Sequence, residues 1–515
     1  MVRSLFVGPE TLSTADGEEF ERREERRSVN GNQQAVSGSL QWKLPRQRIL
    51  SAKGSLTRLD LSQPQESFSE AVTQRGFTGV NRATFGLTTT SARVDTDYSL
   101  PALGGTLKII GLMTRQRNQA ATRVTLTEQQ AGPLSDQRFR ESSVSTEGIG
   151  RLEQTWDANE KGSWQLALEG AWNVLDLQTK FDIADPLNPS QLLNSVAADT
   201  KITEQRGEVS LAHRRSLTDV IDLQFSVGGE TSTLEQRGVT RRFDRPKGFV
   251  SINMTPTRNW TLAMRASREV GQINFRDFAA AVSLIEEITR EDNPELVPQQ
   301  SWLVTLRAER RFAASHIASL QIGHERITDL VGRIPLGEDG DAIGNIPNAK
   351  RNQLTATLSF AGAPFGLPGA QLDLRGSWQR SSVVDPIDGL EREIGLLRTK
   401  DIRAELRHDI PASRWSYGFV LQKLNLAPFY QSTLIRFQET PPGGFSPGQN
   451  SIFVENKDWL GFRVRATLSE VIGQTSRFTR VIHAGRRDIT PVDRIEQRNR
   501  ELGGPFLTLS FGKTF

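Results

Sequence analysis

The residues able to do chemistry are few and scattered. Five histidines occur, His213, His316, His324, His408 and His483. None stands at metal-ligand spacing to another, and no HExxH segment is present. His213, His316 and His408 fall beside short connections, where a polar ring at the edge of an apolar layer is the plain reading. Gly444-Phe-Ser-Pro-Gly448 matches GxSxG in letters. A nucleophile elbow needs a strand, a sharp turn and a helix around that serine. Here Pro441-Pro-Gly-Gly leads into it, so the segment reads as a loop. Asp339-Gly-Asp341 with Asn345 offers oxygen ligands but lacks the closing glutamate of a calcium loop, so it reads as a turn. Glu286 and Glu287 sit in a long polar stretch with nothing to fix their separation for acid–base work. Cysteine is absent, which removes disulfides, thiolate metal sites and thiol nucleophiles together. No enzyme, resident cofactor or metal centre is expected.

The elements that would carry such groups are strands. Hydrophobic residues make up 36% and charged residues 24% of the chain, and no apolar run is long enough for a membrane helix. That leaves open a membrane β-barrel, whose strands are apolar only at alternate residues. Trp164, Leu166, Leu168, Gly170, Trp172 and Val174 alternate with Gln165, Ala167, Glu169, Ala171 and Asn173. The same period of two recurs at 221–227, 250–254, 260–266, 354–360, 372–378 and 462–468. It marks half-buried strands. Strands are expected near 36–44, 47–61, 80–100, 106–117, 144–157, 162–180, 200–214, 219–234, 247–255, 260–271, 300–311, 315–331, 350–360, 370–380, 395–408, 414–424, 457–469, 475–485 and 505–515. Residues 2–7 read as the stump of one more. The formal charge of +4 is small and its signs are interspersed, so nucleic acid is not an expected partner.

Connections alternate between short and long. The short ones centre on Pro45-Arg46, Pro101 to Gly105, Asp157 to Gly162, His213 to Thr218, Thr255 to Asn259, Ala313-Ala314, Ala361 to Gly369, Asp409 to Ser413 and Glu470 to Gln474. The long ones fall at about 62–79, 118–143, 181–199, 235–246, 272–299, 332–349, 381–394, 425–456 and 486–504. Short periplasmic turns alternating with long outside loops are the habit of an up-and-down outer-membrane barrel. The fold class is therefore all-β, a large antiparallel transmembrane barrel at 36–515. Residues 1–35 form a preceding segment, with a strand stump and the charged run Glu18–Arg27, read as a solvated loop or short helix. At the other end Leu507, Leu509 and Phe511 alternate with Thr508, Ser510 and Gly512, and the chain stops on Phe515.

One region goes beyond the general pattern. Arg268-Glu-Val-Gly-Gln-Ile-Asn-Phe275-Arg-Asp-Phe278 is followed by Asp292, Asn293, Pro294, Glu295, Leu296, Val297, Pro298 and Gln299, then by a period-two strand from Trp302. This resembles the TonB-dependent outer-membrane receptors, which commonly carry Asn-Pro-x-Leu-x-Pro-Glu in a long outside loop before a strand. Gln299 stands where the family has Glu, and the resemblance covers about residues 36–515. It implies a 22-stranded barrel in the outer membrane of a Gram-negative bacterium, filled by an N-terminal plug and energised through a TonB box. It also implies uptake of a scarce nutrient such as a ferric siderophore. Leu507, Leu509, Phe511 and Phe515 then match the family's signal to the barrel-assembly machinery, and outer-membrane lipid is the surrounding partner. No signal peptide, TonB box or plug is recognisable, and the expected strands number 19 or 20. The expectation is thus a piece of a receptor that would reach TonB only through parts outside it. The family's haem receptors carry a histidine between the two halves of the motif region; residues 276–292 contain none. A porin-like passive channel is the alternative in the same membrane, and a soluble all-β interaction protein is a third reading.

Overall fold

The structure is a computed structural model. It describes every residue except 1, 160, 279–280, 285–287, 313–315, 338–339, 440–449, 473–474, 503 and 514–515. Among the described residues there is one 25-stranded antiparallel sheet, a small hairpin of Ala281–Ser283 with Ile288–Arg290, two short 3-10 turns and no α-helix. None of its helical turns is long and apolar enough to cross a membrane.

From Val2–Ser13 to Trp260–Val270 each strand pairs with its successor, and the first strand, Val2–Ser13, also pairs with Val492–Leu502 near the end of the chain. In that register Val7 faces Glu501 and Glu10 faces Arg498. The two strands come so close at Gly8 that a Cβ there would meet the Asn499 carbonyl oxygen at 1.8 Å. Short reversals join neighbours at one end. Leu103-Gly104 and Leu460-Gly461 have two successive positive φ angles, 51° with 73° and 54° with 82°. That is the mirror-image turn whose twist matches a hairpin, with glycine at its second position.

The strands are longer than their hydropathy signal. Gly132–Asn159 has 28 residues and Leu192–Thr218 has 27, against the roughly 9–11 needed to cross a bilayer. Most of the expected long loops are strand. The stretch 118–143 is a hairpin between Gly105–Glu128 and Gly132–Asn159, and 235–246 is a second one through Arg237-Gly238. The charged run Glu18–Arg27 belongs almost wholly to strand Glu19–Leu44, so the boundary expected after residue 35 falls inside a strand. Glu470 to Gln474 is not a reversal either. Thr475–His483 runs antiparallel to Val492–Leu502, and Phe462–Ser469 runs antiparallel to Phe506–Gly512. The reversal lies earlier, at Leu460-Gly461, within the stretch expected to be one strand at 457–469.

Alternation sorts the side chains into two faces. On Gly162–Ala184, Leu168 and Trp172 are exposed while Ala167, Ala171, Leu175 and Leu177 are buried. Exposed Val36, Leu40, Trp42, Met113, Val250, Ile252, Leu306, Ile322, Leu507, Leu509 and Phe511 continue the outward apolar band around the sheet. A band of nine residues, such as 36–44, is roughly 25–30 Å tall. At the height of this band the charged residues, such as Glu169, Arg265 and Arg307, are on the opposite, inner face.

Candidate functional site

The inner face is occupied by the protein's own loops. The loop 271–299, which holds the Asn-Pro-x-Leu-x-Pro stretch, leaves strand Trp260–Val270 and lies across neighbouring strands. Arg276 donates to the Ser143 hydroxyl at 2.8 Å and pairs with Glu141 at 2.7 Å, both on the distant strand Gly132–Asn159. Phe278 and Leu296, both fully buried, fill an apolar nest made by inner-face Leu175, Leu177, Ile202 and Leu234.

Each expected motif residue in this loop has a structural task. Asn293 donates its side-chain amide to the Ile343 carbonyl at 2.9 Å and accepts the Glu295 N–H at 2.9 Å, fixing the bend before Leu296. Proline has no N–H to donate, so Pro294 and Pro298 are held through their carbonyls. Arg241 donates to the Pro294 oxygen at 2.9 Å, and Arg245 donates to the Pro298 oxygen. Asn345 brackets the backbone between them, accepting the Val297 N–H and donating to the Val297 carbonyl, each at 2.8 Å. Gln299 accepts the Val331 N–H at 3.3 Å.

A second set of contacts ties the other loops together. Asp341 is buried and accepts both the backbone N–H and the hydroxyl of Ser432, the hydroxyl at 2.7 Å. Asp385, also buried, accepts the Ile387 N–H at 2.8 Å and is gripped by Arg392 and Arg487. Arg487 reaches on to Asp388 and donates to the Gln431 carbonyl at 3.1 Å. A cavity of about 200 Å³ lies beside these contacts, lined by Arg333, Arg392, Phe429 and Tyr430 among others. Arg392 sits 4.2 Å from the centre of the Tyr430 ring, and Arg333 4.9 Å from that of Phe429. Arg333 Nη1 is 3.6 Å from Asp341, too far for a hydrogen bond, and is buried with no hydrogen-bond partner.

Burial pushes the Asp385 carboxyl up, but the Ile387 N–H and the guanidinium groups of Arg392 and Arg487 outweigh it and hold it below the usual range. A depressed folded pKa stabilises fully above the unfolded value of ~3.9, and the gain is lost as pH falls through the folded one. Amide protection in 385–397 and 484–491 is therefore expected to be flat from neutral pH to about 4 and to fall below it. Hydrogen exchange read by mass spectrometry, corrected for intrinsic rates, checks this. Asp385→Asn should lower protection at neutral pH and flatten the profile.

The remaining expected groups are ordinary structure. His213 stacks on Trp164 at 4.1 Å and His408 bonds Tyr417 at 2.9 Å, both beside short turns as expected. His316 accepts the Ala361 N–H at 3.1 Å. His324 Nδ1 is 2.7 Å from the Asn352 oxygen, and His483 Nδ1 is 2.9 Å from the Thr490 carbonyl. Asp341 and Asn345, weighed as calcium ligands, are spent on Ser432 and Val297. Among the described residues no His, Cys, Asp or Glu group could hold a metal ion. The GxSxG letters at 444–448, the Glu286–Glu287 pair and Phe515 lie outside the described residues. Leu507, Leu509 and Phe511 point outward from Phe506–Gly512, which pairs with Phe462–Ser469.

No protein-family model matches the chain, and no curated protein matches it. Solved structures do. The ferric yersiniabactin uptake receptor FyuA from Yersinia pestis superposes with a TM-score of 0.53 at 10% identity, over 98% of this chain and 80% of its own. The fold is that of the TonB-dependent outer-membrane receptors. The copper transporter OprC matches with a TM-score of 0.55 at 9% identity, over 98% of this chain and 80% of its own. The siderophore receptor PiuA from Acinetobacter baumannii matches with 0.54 at 8%, over 98% and 82%. These receptor-fold structures are transport proteins, not enzymes. At such identities the likeness is one of fold, so ligand chemistry has to be read from this chain's own residues.

Proposed function

We propose that the chain closes into an outer-membrane barrel, the first strand sealing against Val492–Leu502, and serves TonB-dependent uptake of a scarce nutrient such as a ferric siderophore. The observation that carries the reading is a sheet that matches solved receptors over 98% of the chain and folds its longest loops onto its own inner face. A passive channel has no use for such a cap, which puts apolar and ion-paired loops where solutes would pass. The exposed apolar band suits lipid, and the outward Leu507, Leu509 and Phe511 suit the signal read by the barrel-assembly machinery. Arg333, Arg392, Phe429 and Tyr430 set guanidinium groups beside aromatic rings. That chemistry favours an anionic metal chelate bearing carboxylate or catecholate groups.

Fluorescence titration of the full chain with a panel of ferric chelates tests this. Saturable quenching by an anionic chelate is expected, weakened by roughly 10- to 100-fold in Arg333→Gln, as for loss of one charge-assisted hydrogen bond. No saturable quenching by any chelate, together with free ion conduction in planar bilayers, would point to the passive channel instead.

A further inference from the structure

The outer face of the strands Trp260–Val270, Gln300–Phe312, His316–Leu336, Gly340–Ala361 and Ala370–Val384 changes character over a short height. Cross-strand register places Met264, Leu306, Ile322, Leu354 and Trp378 in one apolar row. Two residues higher the row reads Ala266, Val304, His324, Asn352 and Arg380. Two higher again it reads Arg268, Trp302, Arg326, Lys350 and Ser382. Four cations therefore stand within roughly 13 Å of the apolar band.

They are unbalanced. Arg326 and Lys350 are directly opposite each other on adjacent strands, both exposed, an arrangement that repels and gives the fold nothing. Among the described residues, Arg268, Arg326, Lys350 and Arg380 have no ion-pair partner. Two arginines elsewhere on the outer face are matched, Arg58 with Asp60 at 2.9 Å and Arg82 with Glu66 at 3.0 Å. Arg268 lies 5.7 Å from the Trp302 ring and donates to Gln300 at 2.9 Å, yet its Nε is buried with no hydrogen-bond partner. A cavity of about 850 Å³ opens here, lined by Arg268, Trp302, Arg326, Lys350 and Val384, with one carboxylate, Glu391, bound to the Ser382 hydroxyl.

We propose that this cavity holds the phosphate-bearing headgroup of an anionic lipid in the surrounding leaflet. Cations just above an apolar band lie at headgroup depth, and a tryptophan among them suits the interface. Phosphate oxygens would screen Arg326 from Lys350 and accept from their exposed N–H groups. The lipid's acyl chains would lie down the apolar row from Leu306 to Trp378. The assignment rests on the outer-membrane barrel reading.

The test uses the full chain in phosphatidylethanolamine vesicles containing diphosphoryl lipid A, then native mass spectrometry of lipid retained after delipidation. Retention is expected for the unsubstituted chain, and roughly a hundredfold less for Arg326→Ser/Lys350→Ser/Arg380→Ser. Arg58→Ser/Arg82→Ser, which removes two matched cations, should retain it as before. On the unsubstituted chain, dephosphorylated lipid A should not be retained and inorganic phosphate should not displace the phosphorylated form. Equal retention by the triple variant, retention of the dephosphorylated lipid, or displacement by inorganic phosphate each overturns the proposal. Heat-shifted gel mobility is recorded alongside. With the shift present, those outcomes overturn the lipid site alone. An unsubstituted chain that shows no shift overturns the barrel reading and the lipid site with it.

Discussion

Arg498→Ala is expected to destabilise the protein by about 3–5 kcal/mol, because it strands buried carboxylates inside the contact between the first strand and Val492–Leu502. Glu10 and Arg498 face each other across Val2–Ser13 and Val492–Leu502, are 1% and 4% exposed, and form an ion pair. Arg500 pairs with Glu25 at 2.7 Å beside them, and Arg23 bridges Glu21 at 2.6 Å and Glu10 at 3.5 Å. Desolvation of so many charges is costly, and the stack persists because its charges are paired, Arg498 with Glu10, Arg500 with Glu25 and Arg23 with Glu10 between strands, and Arg23 with Glu21 along one strand. Removing one guanidinium leaves Glu10 charged in a dry place or protonated, and either state weakens the contact. The double variant Glu10→Leu/Arg498→Met should recover most of the loss, since it removes both charges and keeps the volume. The temperature at which the heat-shifted gel band converts to the unfolded one reports both effects. A midpoint for Arg498→Ala equal to that of the unsubstituted chain would show that the pair contributes nothing.

The second large effect is local. Leu296→Ala should loosen the loop 271–299 by about 2–5 kcal/mol, the range for emptying a filled apolar site. If cleavage goes through local opening, trypsin cuts at Arg276 and Arg290 should accelerate by roughly 30-fold to several thousandfold. Leu296→Asp should release the loop outright, because a carboxylate would sit among Leu175, Leu177, Ile202 and Leu234. The strand wall does not depend on this nest, so the heat-shift midpoint should stay within a few degrees. A fall in that midpoint as large as that of Arg498→Ala would make Leu296 part of the wall's core instead of a latch.

Leu296 was legible through its motif, but the partners behind both effects were hard to see in the sequence, for a physical reason. Strand signals were legible where one face is apolar, as in 162–174 and 260–266, because period two shows only when the faces differ in hydropathy. Above the apolar band both faces are polar. The strands continue there with no contrast, so 118–143 and 235–246 read as loops although both are hairpins. Glu21 and Glu25 alternate with Arg22, Glu24 and Arg26, so the run that supplies Glu25 to the closing contact looked like a solvated helix or loop. Arg241, Phe243 and Arg245 also keep period two, and that spacing was the available hint that one face of 239–247 has a task. The partners Ile343 and Asn345 lie some fifty residues from the motif they hold and could not be assigned without the fold. The Asn-Pro-x-Leu-x-Pro stretch was recognisable, whereas its role as a latch on the inner face was not. Leu460-Gly461 escaped notice because it lacks the Asn or Asp that usually marks such a turn.

The reading of this protein as a receptor barrel stands on its first strand meeting Val492–Leu502, and that contact can be trapped directly. The chain has no cysteine, so Val7→Cys/Glu501→Cys introduces a single pair at facing positions, where directly opposed residues on antiparallel strands come within disulfide reach. Ile49→Cys/Ser99→Cys, facing across an adjacent hairpin, serves as the reference. In membranes under mild oxidation, both pairs are expected to cross-link within one chain to a similar extent, seen as a mobility change reversed by reductant. Efficient cross-linking of the hairpin pair with none between positions 7 and 501 would contradict the closed barrel.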